Sequence, residues 1–191
     1  MIFSESATNY SLQVKPILSP EELNSGLWLV MAGVDDIPPH IALINEGLYY
    51  SVSAKKVDHG TPLENFLKAI SRKSTPTIFI RFRLPALHIV DLSKIFKNYP
   101  TLGNTIQHST FSIQHFSCLW PIRDFFAKTF SEKYSKASLV FELLAMAEKD
   151  GLIAECKSLF LDSAVEGMVT LPKYTHEQIR EKINSILKVN G

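Results

Sequence analysis

The chain has 191 residues, of which 46% are hydrophobic and 20% charged, and its 20 lysines and arginines oppose 19 acidic side chains. This length and composition are typical of one domain that buries its own core. The balanced charge excludes the strongly basic surface that nucleic acid or an acidic membrane attracts. We therefore predict a single domain over residues 1–191, with no nucleic-acid partner.

The compartment is predicted from the N-terminus, the apolar runs and the cysteines. Residues 1–6 lack the basic segment and apolar run of a secretory signal. The apolar run Leu27–Val34 is too short to span a bilayer. Cys118 and Cys156 allow at most one disulfide, which favours reduced thiols. We predict a cytoplasmic protein without a membrane span, and the sequence carries no signal for its oligomeric state.

The first elements in chain order are strands and one short helix. An edge strand is predicted at Tyr10–Val14, followed by a capping box, Ser19 to Glu22, that opens a short helix. The run Leu27–Val34 is typical of a strand buried on both faces. His40–Ile44 and Leu48–Ser53 are two strand-like runs that the segment Asn45-Glu46-Gly47 joins into a predicted hairpin.

The loop of this hairpin decides which residue lies opposite His40. A three-residue loop pairs Ile44 with Leu48 and places Val52 opposite His40. A two-residue turn places Ser53 there instead, because a slip of one residue exchanges the faces of a strand. Both alternatives are open on the sequence alone.

The remaining elements change from strand to helix along the chain. We predict a helix from a capping box at Thr61–Glu64, an alternating strand at Ile78–Leu84, a helix at Leu92–Asn98 and a strand at Phe111–Phe116. Further helices are predicted after Pro121, at Ser138–Lys149, at Gly151–Leu161 and from Thr175. Residues 1–116 are thus sheet-rich and residues 117–191 helix-rich. This order favours an α+β fold, an antiparallel sheet with helices packed on it.

Several kinds of site are excluded by the absence of their motifs. The sequence has no glycine-rich phosphate loop, no H-E-x-x-H, no C-x-x-C and no G-x-S-x-G. We therefore predict no nucleotide cofactor, no metal site and no serine-hydrolase elbow.

The candidate chemistry lies in Cys118 and His40. Pro121 fits the first turn of a helix, so Cys118 lies at a helix N-terminus, where the helix dipole lowers a thiol pKa. The free N–H groups there also suit the oxyanion of a tetrahedral intermediate. His40 opens an apolar strand and is the natural base. The alternatives are a buried small hydrophobe at 118 and an ordinary histidine at a strand end.

The hairpin His40–Ser51 resembles the histidine-bearing hairpin of circularly permuted papain-like proteins, which include bacterial cell-wall amidohydrolases and the lecithin:retinol acyltransferase type. In that order the histidine strand comes first, a polar orienter follows on the paired strand, and the cysteine comes later at a helix start. The resemblance implies Cys118 as nucleophile, His40 as general base and then acid, and Ser53 as orienter.

The function expected from this resemblance is a cysteine hydrolase or acyltransferase. Its substrate would be an amide or ester bond in a small molecule or peptide. The alternative function is a non-catalytic binding or interaction module on a related or unrelated α+β fold. A cleft around an activated thiol distinguishes the first from the second.

Overall fold

A computed structural model describes residues 9–17, 19–85, 90–101, 117–161 and 167–188. The strand predicted at Phe111–Phe116 lies outside these ranges. The strands within them are β1 (Asn9–Gln13), β2 (Lys15–Pro16), β3 (Leu27–Ala32), β4 (His40–Asn45), β5 (Leu48–Val52), β6 (Val57–Pro62), β7 (Thr77–Phe82), β8 (Ile153–Leu159) and β9 (Met168–Pro172). The α-helices are α1 (Leu63–Arg72), α2 (Leu92–Lys97), α3 (Leu119–Thr129), α4 (Val140–Lys149) and α5 (His176–Lys188), with 3₁₀ helices at Pro20–Asn24 and Glu132–Lys136.

Seven of the strands form one sheet in the order β2-β8-β7-β3-β4-β5-β6. Every pair in it is antiparallel except β2 with β8. β1 and β9 form a separate antiparallel pair. The predicted α+β class, an antiparallel sheet with helices packed on it, is confirmed.

The two faces of the large sheet bury different sets of side chains. One face, called here the helical face, carries Leu29, Ile41 and Ile80 and packs against α2, α3 and α4. The other face, called here the α1 face, carries Val30, Ala42 and Phe79 and packs against α1 and the first 3₁₀ helix. Successive residues of β3 and β4 alternate between the two clusters, as the period of a strand requires. Both faces are covered, so β3 is buried throughout.

The hairpin β4–β5 has a two-residue turn. Asn45 pairs with Leu48, and Glu46 and Gly47 both have positive φ, 49° and 72°. This is the backbone of the tight hairpin turns whose twist matches that of the strands. The two-residue alternative is therefore the correct one.

The helix predicted at Gly151–Leu161 is wrong, because residues 153–159 form β8 instead. β8 pairs with β7, from Thr77 opposite Leu159 to Phe82 opposite Ile153, with a bulge between Arg81 and Phe82. Cys156 and Ser158 face inward while Glu155 and Lys157 lie at intermediate exposure, which is the alternation of a strand. The strands β8 and β9 both lie within residues 117–191, the region predicted to be helix-rich.

The helix starts predicted at Ser19 and Thr175 are confirmed, whereas the cap at Asp91 was not predicted. Ser19 and Thr175 form reciprocal boxes with Glu22 and Gln178. Asp91 caps α2 through the N–H of Lys94. The box predicted at Thr61 is wrong, since β6 continues to Pro62 and α1 begins at Leu63 without a side-chain cap.

Candidate functional site

Cys118 lies immediately before α3, at the position that the sequence predicts. Ser117 shapes this first turn: its hydroxyl accepts a hydrogen bond from the N–H of Leu119 at 3.3 Å, and its carbonyl accepts one from Trp120 at 3.1 Å. α3 then packs on the helical face through Ile122 and Phe126. Ser117, Cys118 and Pro121 thus form the start of a helix that packs against the sheet.

Burial is the largest influence on the Cys118 thiol. It raises the thiol pKa, while hydrogen bonds from the backbone N–H groups of Ile41 and of Cys118 itself act in the opposite direction. The net shift is upward. At neutral pH the sulfur is therefore a protonated thiol, which is a poor nucleophile.

His40 and Cys118 lie on different faces of β4. His40 pairs with Ala32 and alternates with Ile41, so its side chain belongs with Ala42 on the α1 face. Cys118 packs on the helical face. Pro38, Pro39 and Ile41 line a narrow cleft beside Cys118, whereas His40 is not among its lining residues.

The His40 ring has another partner, the hydroxyl of Tyr49, which lies 3.2 Å from Nε2. Tyr49 stacks on Phe66 of α1, with ring centroids 4.5 Å apart. Ala42 and Ser51 are paired between Tyr49 and His40 on the two strands. Burial lowers the pKa of His40, so the imidazole is neutral at neutral pH.

A group of polar side chains continues from Tyr49 into β6. The Ser51 hydroxyl lies near Tyr49 and donates to Asp58 Oδ2 at 3.4 Å. Asp58 also accepts from Thr61 at 3.3 Å and pairs with Lys56. The Asp58 carboxylate thus accepts two hydroxyl protons at the end of the group that begins with His40 and Tyr49.

Ser53, the predicted orienter, is engaged elsewhere. Its hydroxyl donates to the carbonyl of Lys56 at 2.9 Å and accepts from the N–H of the same residue at 3.0 Å. The group that contacts the imidazole is Tyr49, on the strand paired with β4. The two-residue turn places Tyr49 and Ser51 on the same face of the sheet as His40. Choosing that turn from the sequence would have identified these two residues as neighbours of His40.

A groove of about 450 Å³ lies at the other end of the sheet, between β1 and β8. Its lining includes Leu12, Gln13, Glu148, Ile153, Ala154 and Cys156. It forms because β1 turns away from the large sheet to pair with β9, while β2, which follows it, pairs with β8 only at Lys157 and Ser158. Across the described strands, the stretch Ile153–Cys156 therefore has β7 on one side and the groove on the other.

Comparison with protein families, curated proteins and solved structures gives no match to this chain. In the ranges that the structure covers, no three histidine, cysteine or acidic side chains are grouped as metal ligands would be. No helix of those ranges is both long and apolar enough to cross a bilayer.

Proposed function

We propose that this chain is a non-catalytic interaction module that binds an extended polypeptide segment along the edge of β8 that the described strands leave unpaired. The observation that carries the proposal is the groove beside Ile153–Cys156. Its volume is within the range of about 300–1,000 Å³ that binding sites occupy. An unpaired strand edge offers backbone N–H and C=O groups to an incoming strand.

The direction of the backbone supports this mode of binding. The carbonyl of Ser158 accepts from Ile17 of the β2 side at 2.9 Å. Backbone groups of alternate residues point to the same side of a strand, so those of Cys156 point into the groove. A segment that lies there continues the pairing that β2 begins, over about 13 Å at 3.3 Å per residue.

The state of Cys118 supports binding over thiol catalysis. Burial keeps its sulfur protonated, and the ring of His40 is hydrogen-bonded to Tyr49 on the opposite face of β4. A cysteine hydrolase needs a thiolate with a base in reach. Neither requirement is met by the contacts of these two residues.

We expect Cys118 to react with iodoacetamide at pH 8 more slowly than a free cysteine does, because its pKa is raised and its thiolate fraction is small. Mass spectrometry of the digested protein separates its modification from that of Cys156. The rate in His40→Ala should equal the wild-type rate. Fast alkylation near pH 6.5 that slows in His40→Ala would instead establish an activated pair.

The second candidate function is the cysteine hydrolase or acyltransferase that the resemblance to permuted papain-like proteins implies. One observation favours it: the Cys118 sulfur accepts a hydrogen bond from Ile41, the neighbour of His40, at the start of α3. A His40 tautomer that donates from Nε2 to Tyr49 would leave Nδ1 unprotonated, as a base requires. The alkylation experiment decides between the two functions.

Binding at the groove is tested with a neutral peptide of about eight alternating threonines and valines with one central glutamine, long enough to cover the open edge. We expect calorimetry to detect its binding to the wild type. Ala154→Trp fills the groove from an exposed position and should abolish binding. Ala145→Trp, exposed on α4 outside the groove, is the matched control and should bind as the wild type does. Equal binding by both variants would contradict the proposal.

A further inference from the structure

The wall of the groove carries an acidic side chain from α4. Glu148 lies in the last turn of that helix at intermediate exposure and lines the groove opposite the edge of β8. Burial and the nearby charge of Glu148 both raise the pKa of the Tyr10 hydroxyl on β1. Among the ion pairs of the described side chains, none joins Glu148 to a lysine or arginine.

The other carboxylate of the lining differs from Glu148 in this respect. Glu155 pairs with Arg81 at 3.1 Å and with Lys157 at 3.7 Å. Its charge is therefore already compensated by the sheet. Glu148 is the acidic side chain of the lining that the described lysines and arginines leave without an ion pair.

We propose that the segment bound at the open edge of β8 carries a lysine or arginine side chain that pairs with Glu148. This inference rests on the proposed binding at the groove and names the chemistry of the partner. Charge complementarity supports a cationic partner, because the described residues that line the groove include two glutamates and no lysine or arginine. Apolar residues beside Glu148, such as Leu12 and Ile153, suit the aliphatic stem of a long cationic side chain.

Burial supports the same assignment. It is the largest influence on Glu148 and raises its carboxyl pKa, which means that the charged form is poorly solvated. A cation brought into the groove would offset that loss of solvation.

The experiment compares three peptides of alternating threonine and valine, with lysine, glutamine or glutamate at the central position. We expect the lysine peptide to bind the wild type about fivefold more tightly than the glutamine peptide, as for a partly solvated ion pair of roughly 1 kcal/mol. The glutamate peptide should bind most weakly. Raising the salt concentration should reduce the preference for lysine.

Two variants with the same change of net charge locate the effect. Glu148→Gln should remove the preference for lysine while the glutamine peptide still binds. Glu132→Gln, an exposed position on the second 3₁₀ helix, should retain the preference. Persistence of the preference in Glu148→Gln would overturn this inference.

The outcomes separate this inference from the proposed function. Equal binding of all three peptides, blocked by Ala154→Trp, would overturn the charge assignment and leave binding at the groove intact. Failure of every peptide to bind would overturn both. A concentration-dependent dimer that Ala154→Trp dissolves would identify a second copy of the chain as the occupant and would overturn the assignment of a separate cationic partner.

Discussion

Replacing Phe126 by alanine is expected to lower the free energy of unfolding by about 3–5 kcal/mol, the usual cost of removing a buried phenylalanine. Phe126 is fully buried on α3 and packs against Phe82 of β7, with ring centroids 4.9 Å apart and the rings nearly perpendicular. It also contacts Phe130 at 5.1 Å and Tyr134 at 5.6 Å. Its loss leaves a cavity between α3, the sheet and the second 3₁₀ helix.

Urea denaturation followed by circular dichroism measures this effect. Domains have about 5–15 kcal/mol of stability in total, so the variant is expected to lose a large fraction of it. In thermal unfolding the midpoint should fall by roughly 10 °C. Phe160→Ala is the matched control, because Phe160 is 36% exposed and its truncation should lower stability by less than that of the fully buried Phe126. A similar small loss for Phe126→Ala would show that α3 does not pack on β7 as described.

The second large effect is a loss of stability at alkaline pH that depends on Cys156. Burial raises the pKa of this thiol to about 12 from an ordinary value of 9.0. Above pH 9 the unfolded chain releases the proton first, so the folded state holds more protons and stability falls as the pH rises. The fall continues until the pH passes the folded pKa near 12. One group contributes about 1.4 kcal/mol per pH unit within this window.

Urea titrations at about pH 8, 9, 10 and 11 measure how steeply the free energy of unfolding falls with pH. Most of these values lie between the two pKa values of the thiol, 9.0 and about 12. Between pH 8 and 11 the thiol of Cys156 should account for a loss of about 3 kcal/mol. Cys156→Ala should show a shallower slope by that amount, whatever its stability at pH 8. Cys118 and several buried tyrosines also have raised pKa values and add a loss of the same sign to both proteins. Identical slopes for the variant and the wild type would contradict the burial of the Cys156 thiol in β8.

The position of Cys156 also shows where prediction from the sequence failed. Residues 153–159 alternate in burial as a strand does, but their composition suits a helix equally well. β8 is a strand because β7, more than 70 residues earlier, offers it a partner along its whole length. A contact of that separation is a tertiary effect, which local propensity does not contain. The groove beside β8 could not be predicted from the sequence either, because it also depends on how distant segments pack.

The candidate site divides in the same way. The two members of the predicted pair were placed in the right local setting, Cys118 before a helix and His40 at the start of a strand. Their meeting across the fold stays a prediction that the contacts of neither residue support. The network around His40 was missed because Asp58 lies on β6, a strand that the sequence analysis did not predict.

The sequence by itself determined the local elements whose signals are contained within a few residues: the buried strand β3, the β4–β5 hairpin and the start of α3. These follow from the apolar run, the Asn45-Glu46-Gly47 segment and Pro121 near a helix start. Only the tertiary structure decided which side of β4 faces which helix, how burial raises the pKa of each thiol, and where the described strands leave part of β8 unpaired. Each of these depends on surfaces brought together from distant parts of the chain, whose packing energy no short window of residues encodes.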